Sequence, residues 1–201
     1  MAISPKTTIQ ISIRPADYYD IQDCVNMMWD DVLKEEVPEG QSAEQLTHGL
    51  FYQFSSRRLY EIKEGDKLLA FGLVLIIGDN YHLALFQSSN PGQGYGGRLF
   101  DKIYKDAPAS ITLGTRRGSK ALGFYMHKKS PTKIARSTDP EITRVPMIWL
   151  LFAKKPGQDW PAMFKDGLNS SMSQRLLLLP MLLRFGLSPT ANQMLLPRNE
   201  L

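Results

Sequence analysis

The sequence is poor in cysteine and contains no long apolar run. Cys24 is the only cysteine among 201 residues, so the chain can form no internal disulfide and no cysteine-based metal cluster. No stretch reaches the roughly 18 uninterrupted apolar residues of a membrane-spanning helix, and residues 1–13 lack the basic start and apolar core of a signal peptide. These absences predict a soluble protein of a reducing compartment, and we expect it in the cytoplasm.

Charge of one sign is missing from one region and scarce in another, although the whole chain is nearly balanced. The formal net charge is +4, from 24 Lys and Arg against 20 Asp and Glu. No acidic residue occurs between Ala107 and Thr138, where the charged residues are all basic, whereas residues 17–44 are rich in Asp and Glu. The basic run has three interpretations: a solvated surface, a binding site for a phosphate group of a ligand, or a binding site for an acidic substrate. Its aromatic residues are assigned to a helix, so specific nucleic-acid binding is not expected.

Metal binding is not expected either. His48, His82 and His127 do not have the spacing of metal ligands. Cys24 falls on the apolar face of a predicted helix, which favours a place in the core over a role as nucleophile.

Hydropathy periodicity predicts one α/β domain over residues 1–155, with a mixed and mostly antiparallel sheet flanked by helices. Alternation with period two predicts strands, and apolar spacing of three and four predicts helices. The predicted strands are Ile9–Ile13, Arg58–Ile62, Leu68–Ile77, Tyr81–Phe86, Ile111–Leu113 and Thr143–Ala153. The predicted helices follow Asp17 and cover Ser42–Phe54, Arg98–Tyr104 and Ser119–His127.

Residues 156–201 form a C-terminal extension of different character. Glycine, proline and a polar run break regular structure, and an apolar block from Leu176 to Leu187 follows. Pro180 interrupts that block, and its leucines point all round a helix instead of along one face. We therefore expect residues 168–201 to pack against protein, either in a homo-oligomer or on a partner protein.

A glycine-rich loop lies between the third strand of the predicted meander and the next helix, at residues 90–97. Such a loop turns backbone N–H groups toward one point, and the helix N-terminus adds partial positive charge, so an anion site is expected there. A tight structural turn is the alternative. No Lys-Ser/Thr pair follows the glycines, which disfavours a P-loop, and the preceding antiparallel strands disfavour a dinucleotide-binding βαβ unit.

Three segments resemble the GCN5-related N-acetyltransferases. Residues 13–17 with Asp20 and Ile21 are similar to the opening strand and helix of that family, and residues 92–99 are similar to its acyl-coenzyme A pyrophosphate loop. Ala121, Phe124 and Tyr125 match the spacing of its last helix. The resemblance covers residues 9 to about 153 and departs from the family pattern at Pro91, Gly118 and Ser130-Pro131.

The resemblance implies acetyl-CoA, or another acyl-CoA, as cofactor and an amine as acceptor. It implies a general acid at Tyr125 and a carbonyl-binding backbone N–H at Phe86, with Ser88 nearby. The implied pyrophosphate-binding residues are Gly92, Gln93, Gly94, Tyr95, Gly96, Gly97 and Arg98. For the general base we consider His82, because a neutral imidazole titrates near working pH; Asp79, Glu61 and a water-mediated base are the alternatives.

Two functions of different class remain open. The first is an acyl-CoA-dependent N-acyltransferase that transfers acetyl directly to an amine within a ternary complex. The second is a non-catalytic protein of the same shape that docks on a larger assembly through its C-terminal tail. This alternative is favoured by the departures at Pro91 and Gly118 and by the apolar tail. Proteins, small metabolites, aminoglycosides and aminoacyl-tRNA all remain possible acceptors.

Overall fold

A computed structural model describes residues 9–37, 39–89, 91–137 and 145–161. In these residues seven strands form one sheet, in the order β1-β2-β3-β4-β5-β7-β6. All neighbours are antiparallel except β4 and β5, which are parallel. The strands are β1 Ile9–Pro15, β2 Arg57–Glu64, β3 Lys67–Ile77, β4 Asn80–Ser88, β5 Ser110–Arg116, β6 Lys133–Ser137 and β7 Met147–Ala153. The predicted class and mostly antiparallel sheet are confirmed.

The helices begin where the sequence supplies caps. The side chains of Asp17 and Ser42 accept from the backbone N–H three residues on, and each pairs reciprocally in a capping box. The helices are α1 Tyr18–Met28, α2 Lys34–Glu36, α3 Ala43–Tyr52, α4 Tyr95–Asp106 and α5 Lys120–Lys128. A π-helical turn, Trp29–Leu33, joins α1 to α2 without a break.

Helices cover both faces of the sheet, and each face has its own apolar core. On one face α1 and α3 pack on Leu73, Leu85 and Trp149, among others, and Cys24 is buried there as predicted. On the other face α4 and α5 pack on Val74, Leu83 and Leu150, among others. Period-two alternation in the central strands explains this, because successive side chains enter opposite cores.

The structure departs from the predicted elements at several places. Helix α2 was not predicted because its three residues are fewer than one helical turn, and strand β6 was not predicted because its apolar residues, Ile134 and Ala135, are adjacent and do not alternate. The last strand begins at Met147 instead of Thr143, directly after Pro146, which has no N–H to donate to a ladder. Residues 138–144 and the expected interaction segment 168–201 lie outside the described residues. Within the described part of the chain, the helices are all too short or too polar to cross a membrane.

Candidate functional site

A cleft opens between the parallel strands β4 and β5. Their pairing joins residues 80–83 of β4 to residues 110–113 of β5 and goes no further. The register of β4 against β3 shifts at Ala84, which makes Ala84 an extra residue in a β-bulge. Because a bulge bends and twists its strand, β4 turns away from β5 at this point. Residues 84–88 of β4 and 114–116 of β5 therefore form the two sides of the cleft.

Backbone groups of β4 face this cleft. The N–H of Ser89 donates to the carbonyl of Leu69 at 2.9 Å, so alternate residues back along β4 bond to β3. Phe86 and Ser88 are the residues between them, and their N–H and C=O groups point away from β3. The structure thus places two of the sequence-predicted residues with their backbone donors on the open side of the strand.

The glycine loop lies at the same end of the sheet and leads into α4. Gly92 and Gly94 have φ angles of +88° and +79°, which glycine adopts without strain. Gly94 caps the helix without a side-chain hydrogen bond, so the first N–H groups of α4 are left for a ligand. A Cβ on Gly96 would lie 3.5 Å from the Cβ of Ser88, so the loop end packs directly on the free section of β4.

Lys128 brings a positive charge to this loop. Its Nζ would lie 3.2 Å from a Cβ placed on Gly97, and it pairs with Asp101 at 2.6 Å. A cation beside the N-terminus of a helix adds to the positive end of the helix dipole and favours an anion there. Sequence reasoning noted the basic run but did not single out Lys128, because its approach to Gly97 depends on how α5 packs beside α4.

Tyr125 lies in an aromatic cluster beside the cleft. Its ring is 6.0 Å from the ring of Phe86 and 5.5 Å from that of Phe100, and only 5% of the residue is exposed. Burial raises the pKa of the phenol above its ordinary value, so the hydroxyl stays protonated at neutral pH. Among the described residues it has no side-chain hydrogen-bond partner.

His82 lies apart from that cluster, on the face of the sheet that α1 and α3 cover. It precedes the bulge, its Nδ1 is 3.1 Å from the hydroxyl of Thr112, and its ring stacks on Trp149. Burial lowers the pKa of the imidazole to about 4. The structure does not bring His82 to the open section of β4, and the geometry favours a structural role. Its catalytic role stays a prediction that no contact supports.

The competing bases also lie away from the cleft. Asp79 is in the turn between β3 and β4, at the opposite end of β4 from the glycine loop. The carboxylate of Glu61 is buried and accepts from Arg14 and Ser12, with Lys63 at 2.9 Å. Glu61 therefore stabilises the edge of the sheet, where β1 pairs with β2.

Burial of His82 predicts a specific loss of stability in acid. Because the folded pKa of about 4 is below the ordinary value of 6.5, the unfolded chain binds this proton first. Protonation of His82 therefore does not affect the free energy of unfolding above pH 6.5. As the pH falls from 6.5 to 4, it lowers that free energy by about 3 kcal/mol. Urea unfolding at pH 7.5 and pH 4.5 should show a smaller acid loss in His82→Asn than in the natural chain. His48→Gln, an exposed control, should keep the natural pH dependence; equal acid losses in all three chains would contradict the prediction.

Glu36 is a carboxyl group near the cleft that sequence reasoning missed. The preceding residue, Glu35, accepts two 2.8 Å hydrogen bonds from Arg116, the last residue of β5. Burial raises the pKa of Glu36 to about 7, although the nearby charge of Arg116 opposes the rise. No sequence signal separates Glu36 from the other acids of residues 17–44, since the contact with β5 is made across 81 residues.

Comparisons with known proteins agree with this geometry at the level of fold. No family model matches the sequence, and no curated protein matches it either. A mutant of spermidine N-acetyltransferase from Vibrio cholerae superposes with a TM-score of 0.52 at 10% identity, over 72% of this chain and 94% of that one. NAA60 from Arabidopsis thaliana, in complex with a bisubstrate analogue, superposes with a TM-score of 0.52 at 9% identity, over 72% and 98%.

The chain has the fold of the GCN5-related N-acetyltransferases. The expectation drawn from the opening strand, the glycine loop and the last helix is thereby confirmed for the fold. Within this acetyltransferase fold the structure brings together Phe86, Ser88, Gly96 and Tyr125, which are separated by up to 39 residues in the sequence. Pro91 and Gly118, two of the departures from the family pattern, are both exposed, and Gly118 has a φ angle of +76°.

Proposed function

We propose that the chain is an acyl-CoA-dependent N-acyltransferase that transfers acetyl from acetyl-CoA directly to an amine. The observation that carries the proposal is the open section of β4 beside an uncapped, glycine-rich helix N-terminus. The helix end suits the pyrophosphate, and the free N–H groups of β4 suit an extended amide-containing arm and the thioester carbonyl. The acetyltransferase fold agrees with this assignment.

In this proposal the residues of the loop and of β4 hold the acyl-CoA. Backbone N–H groups of residues 92–98 bind the pyrophosphate, and Lys128 adds charge beside them. The N–H of Phe86 donates to the thioester carbonyl, and Ser88 contacts the arm. Because these donors belong to the main chain, the change at Pro91 removes a side chain but leaves the N–H groups of the following residues.

The chemistry requires the amine nitrogen to bond to the carbonyl carbon while the C–S bond breaks. The amine loses one proton and the departing thiolate gains one, and no acyl-enzyme is formed. Tyr125 donates a hydrogen bond to the sulfur as negative charge develops there. Since the phenol pKa is raised by burial, Tyr125 holds its proton through the neutral pH range and is ready to donate.

Binding of acetyl-CoA should raise the thermal midpoint of the protein. Ligand at 100 times its Kd stabilises the folded state by about 2.7 kcal/mol, which for a chain of this size is a shift of roughly 5–10 °C. Gly94→Ala should lose most of that shift, because its φ of +79° strains any side chain and moves the loop. Gly157→Ala is the matched control, since Gly157 has a φ of +76° but lies beyond β7.

Without ligand, Gly94→Ala and Gly157→Ala should lose similar amounts of stability. With acetyl-CoA, only Gly157→Ala should keep the full rise in thermal midpoint. ATP, which has phosphates but no pantetheine arm, should give a much smaller shift. A natural chain that shows no shift at saturating acetyl-CoA would contradict the proposal and favour the non-catalytic binding protein.

A further inference from the structure

An apolar groove lies beside the cleft, on the face covered by α1. It has a volume of about 240 Å³, and its lining includes Met27, Leu68, Phe71, Gln87 and Ser89. Phe71 and Gln87 are register partners on β3 and β4, so their side chains share one face of the sheet. Gln87 also belongs to the section of β4 that lines the cleft. The groove therefore lies next to the section of β4 where the acyl group would be transferred.

The groove is on the side of the sheet away from the glycine loop. Phe71 and Leu68 pack in the core under α1 and α3, whereas α4 packs in the opposite core. An acyl-CoA held by the loop of α4 approaches the cleft from the α4 side. The α1 face is then the side from which a second substrate can reach the cleft.

The size and lining of the groove fit one apolar group. Its volume is below the roughly 300 Å³ at which pockets for drug-sized ligands begin. Met27 is 44% exposed at its edge, and the amide of Gln87 is the longest polar side chain in its lining. An apolar substituent that enters would cover Met27 and gain contact with Phe71.

The short helix α2, which ends at Glu36, lies at the other side of the cleft. The bond from Arg116 to Glu35 holds α2 at the end of β5, beyond the residues that pair with β4. The helical segment of α1, the π-helical turn and α2 thus runs from Met27 at the groove to Glu36 at β5. π-Helical turns recur at functional sites, and this one lies between Met27 and Glu36 in the chain.

We propose that the acceptor is a primary amine attached to an apolar group, with the apolar group in the Met27–Phe71 groove and the ammonium proton accepted by Glu36. This rests on the proposed acyltransferase function and names its acceptor class. The acidic surroundings of residues 17–44 favour the approach of a cationic amine. A raised pKa near 7 makes Glu36 a stronger base than an ordinary carboxylate, because burial destabilises its charged form.

The test uses the full chain, acetyl-CoA and three primary amines, with release of free thiol as the readout. Phenethylamine and hexylamine carry apolar groups, and ethanolamine carries none. The natural chain should acetylate the first two with a kcat/KM at least about tenfold above that for ethanolamine. Equal kcat/KM for all three amines, or no acetylation of the apolar ones by a chain that binds acetyl-CoA, overturns the inference.

Variants at the groove separate acceptor binding from catalysis. Met27→Ser should raise the KM for phenethylamine about tenfold with kcat nearly unchanged, and should leave the KM for ethanolamine as it was. Met126→Ser is the matched control, because Met126 is 42% exposed on α5, far from the groove. Equal effects of the two methionine variants, or an equal rise for both amines, would overturn the groove assignment.

A variant of the carboxyl group tests its part in proton transfer. Glu36→Gln should lower kcat/KM near pH 7 about a hundredfold and recover much of it near pH 9.5, where more of the free amine is already deprotonated. Glu44→Gln, an exposed acid on α3, should behave as the natural chain. A pH profile unchanged in Glu36→Gln overturns its role as base.

The thermal shift with acetyl-CoA is measured for each variant and distinguishes the two levels of failure. Loss of the shift in the natural chain rejects the acyltransferase itself. A full shift without the expected amine preference rejects only the acceptor class.

Discussion

Tyr125→Phe is expected to lower kcat by about a hundredfold to ten-thousandfold while the thermal shift with acetyl-CoA stays intact. The phenol is the one group of the aromatic cluster that can donate to the sulfur, and an unstabilised thiolate is a poor leaving group. Phenylalanine fills the same buried volume, so the fold should lose little stability. The measurement is steady-state kinetics with phenethylamine, beside a thermal melt with and without acetyl-CoA.

Tyr60→Phe is the matched control for this substitution. Tyr60 is fully buried in the same core layer, but its hydroxyl donates to Asp106 at the far end of α4 from the glycine loop. Removal of the Tyr60 hydroxyl should leave kcat unchanged. Because burial holds the pKa of Tyr125 above its ordinary value, the natural chain should also show no fall in kcat as the pH rises from 7 to roughly 9.5. A Tyr125→Phe chain with a kcat within about twofold of the natural value would contradict the assignment.

Glu36→Gln is expected to stabilise the fold in alkali even as it lowers activity. The folded pKa of about 7 lies above the ordinary 4.5, so the unfolded chain loses this proton first. The natural chain therefore loses stability as the pH rises from 4.5 to 7, and the cost above pH 7 is about 3 kcal/mol. Glutamine carries no charge and avoids that cost. Arg116 and Glu35, the charged groups beside it, are unchanged.

Urea unfolding at pH 8 and pH 4.5 measures this effect. The free energy of unfolding of Glu36→Gln should be higher than that of the natural chain at pH 8 and equal to it at pH 4.5. The Glu44→Gln variant should have the same free energy of unfolding as the natural chain at both pH values. A variant that is more stable but less active is typical of a group whose strained ionisation serves function. Equal stability of the Glu36→Gln and natural chains at pH 8 would show that Glu36 is not held in a destabilising environment.

The cleft shows how far local pattern predicts a site. The glycines of residues 92–97 mark the loop because only their backbone freedom permits its φ angles, and the following helix is marked by its own periodicity. The family resemblance, counted back from that loop along the strand, implies Phe86, and the backbone of Phe86 does face the cleft. The position of His82 on the same strand predicts a base near the loop. The face of the sheet on which its side chain lies, and how deeply it is buried, depend on β5 and β7, which lie far along the chain.

The sequence by itself determined the order of the elements other than α2 and β6, the amphipathic helices capped by Asp17 and Ser42, the meander of β2 to β4 and the glycine loop, because each depends on residues near one another in the chain. Only the tertiary structure decided which residues meet. The bulge at Ala84, the end of pairing after Leu83 and the contact of Arg116 with Glu35 arise from packing between distant segments. Periodicity reports which face of an element is apolar; it carries no information on which other element covers that face. The cleft, its basic loop on one side and its apolar groove on the other exist only once the sheet is assembled.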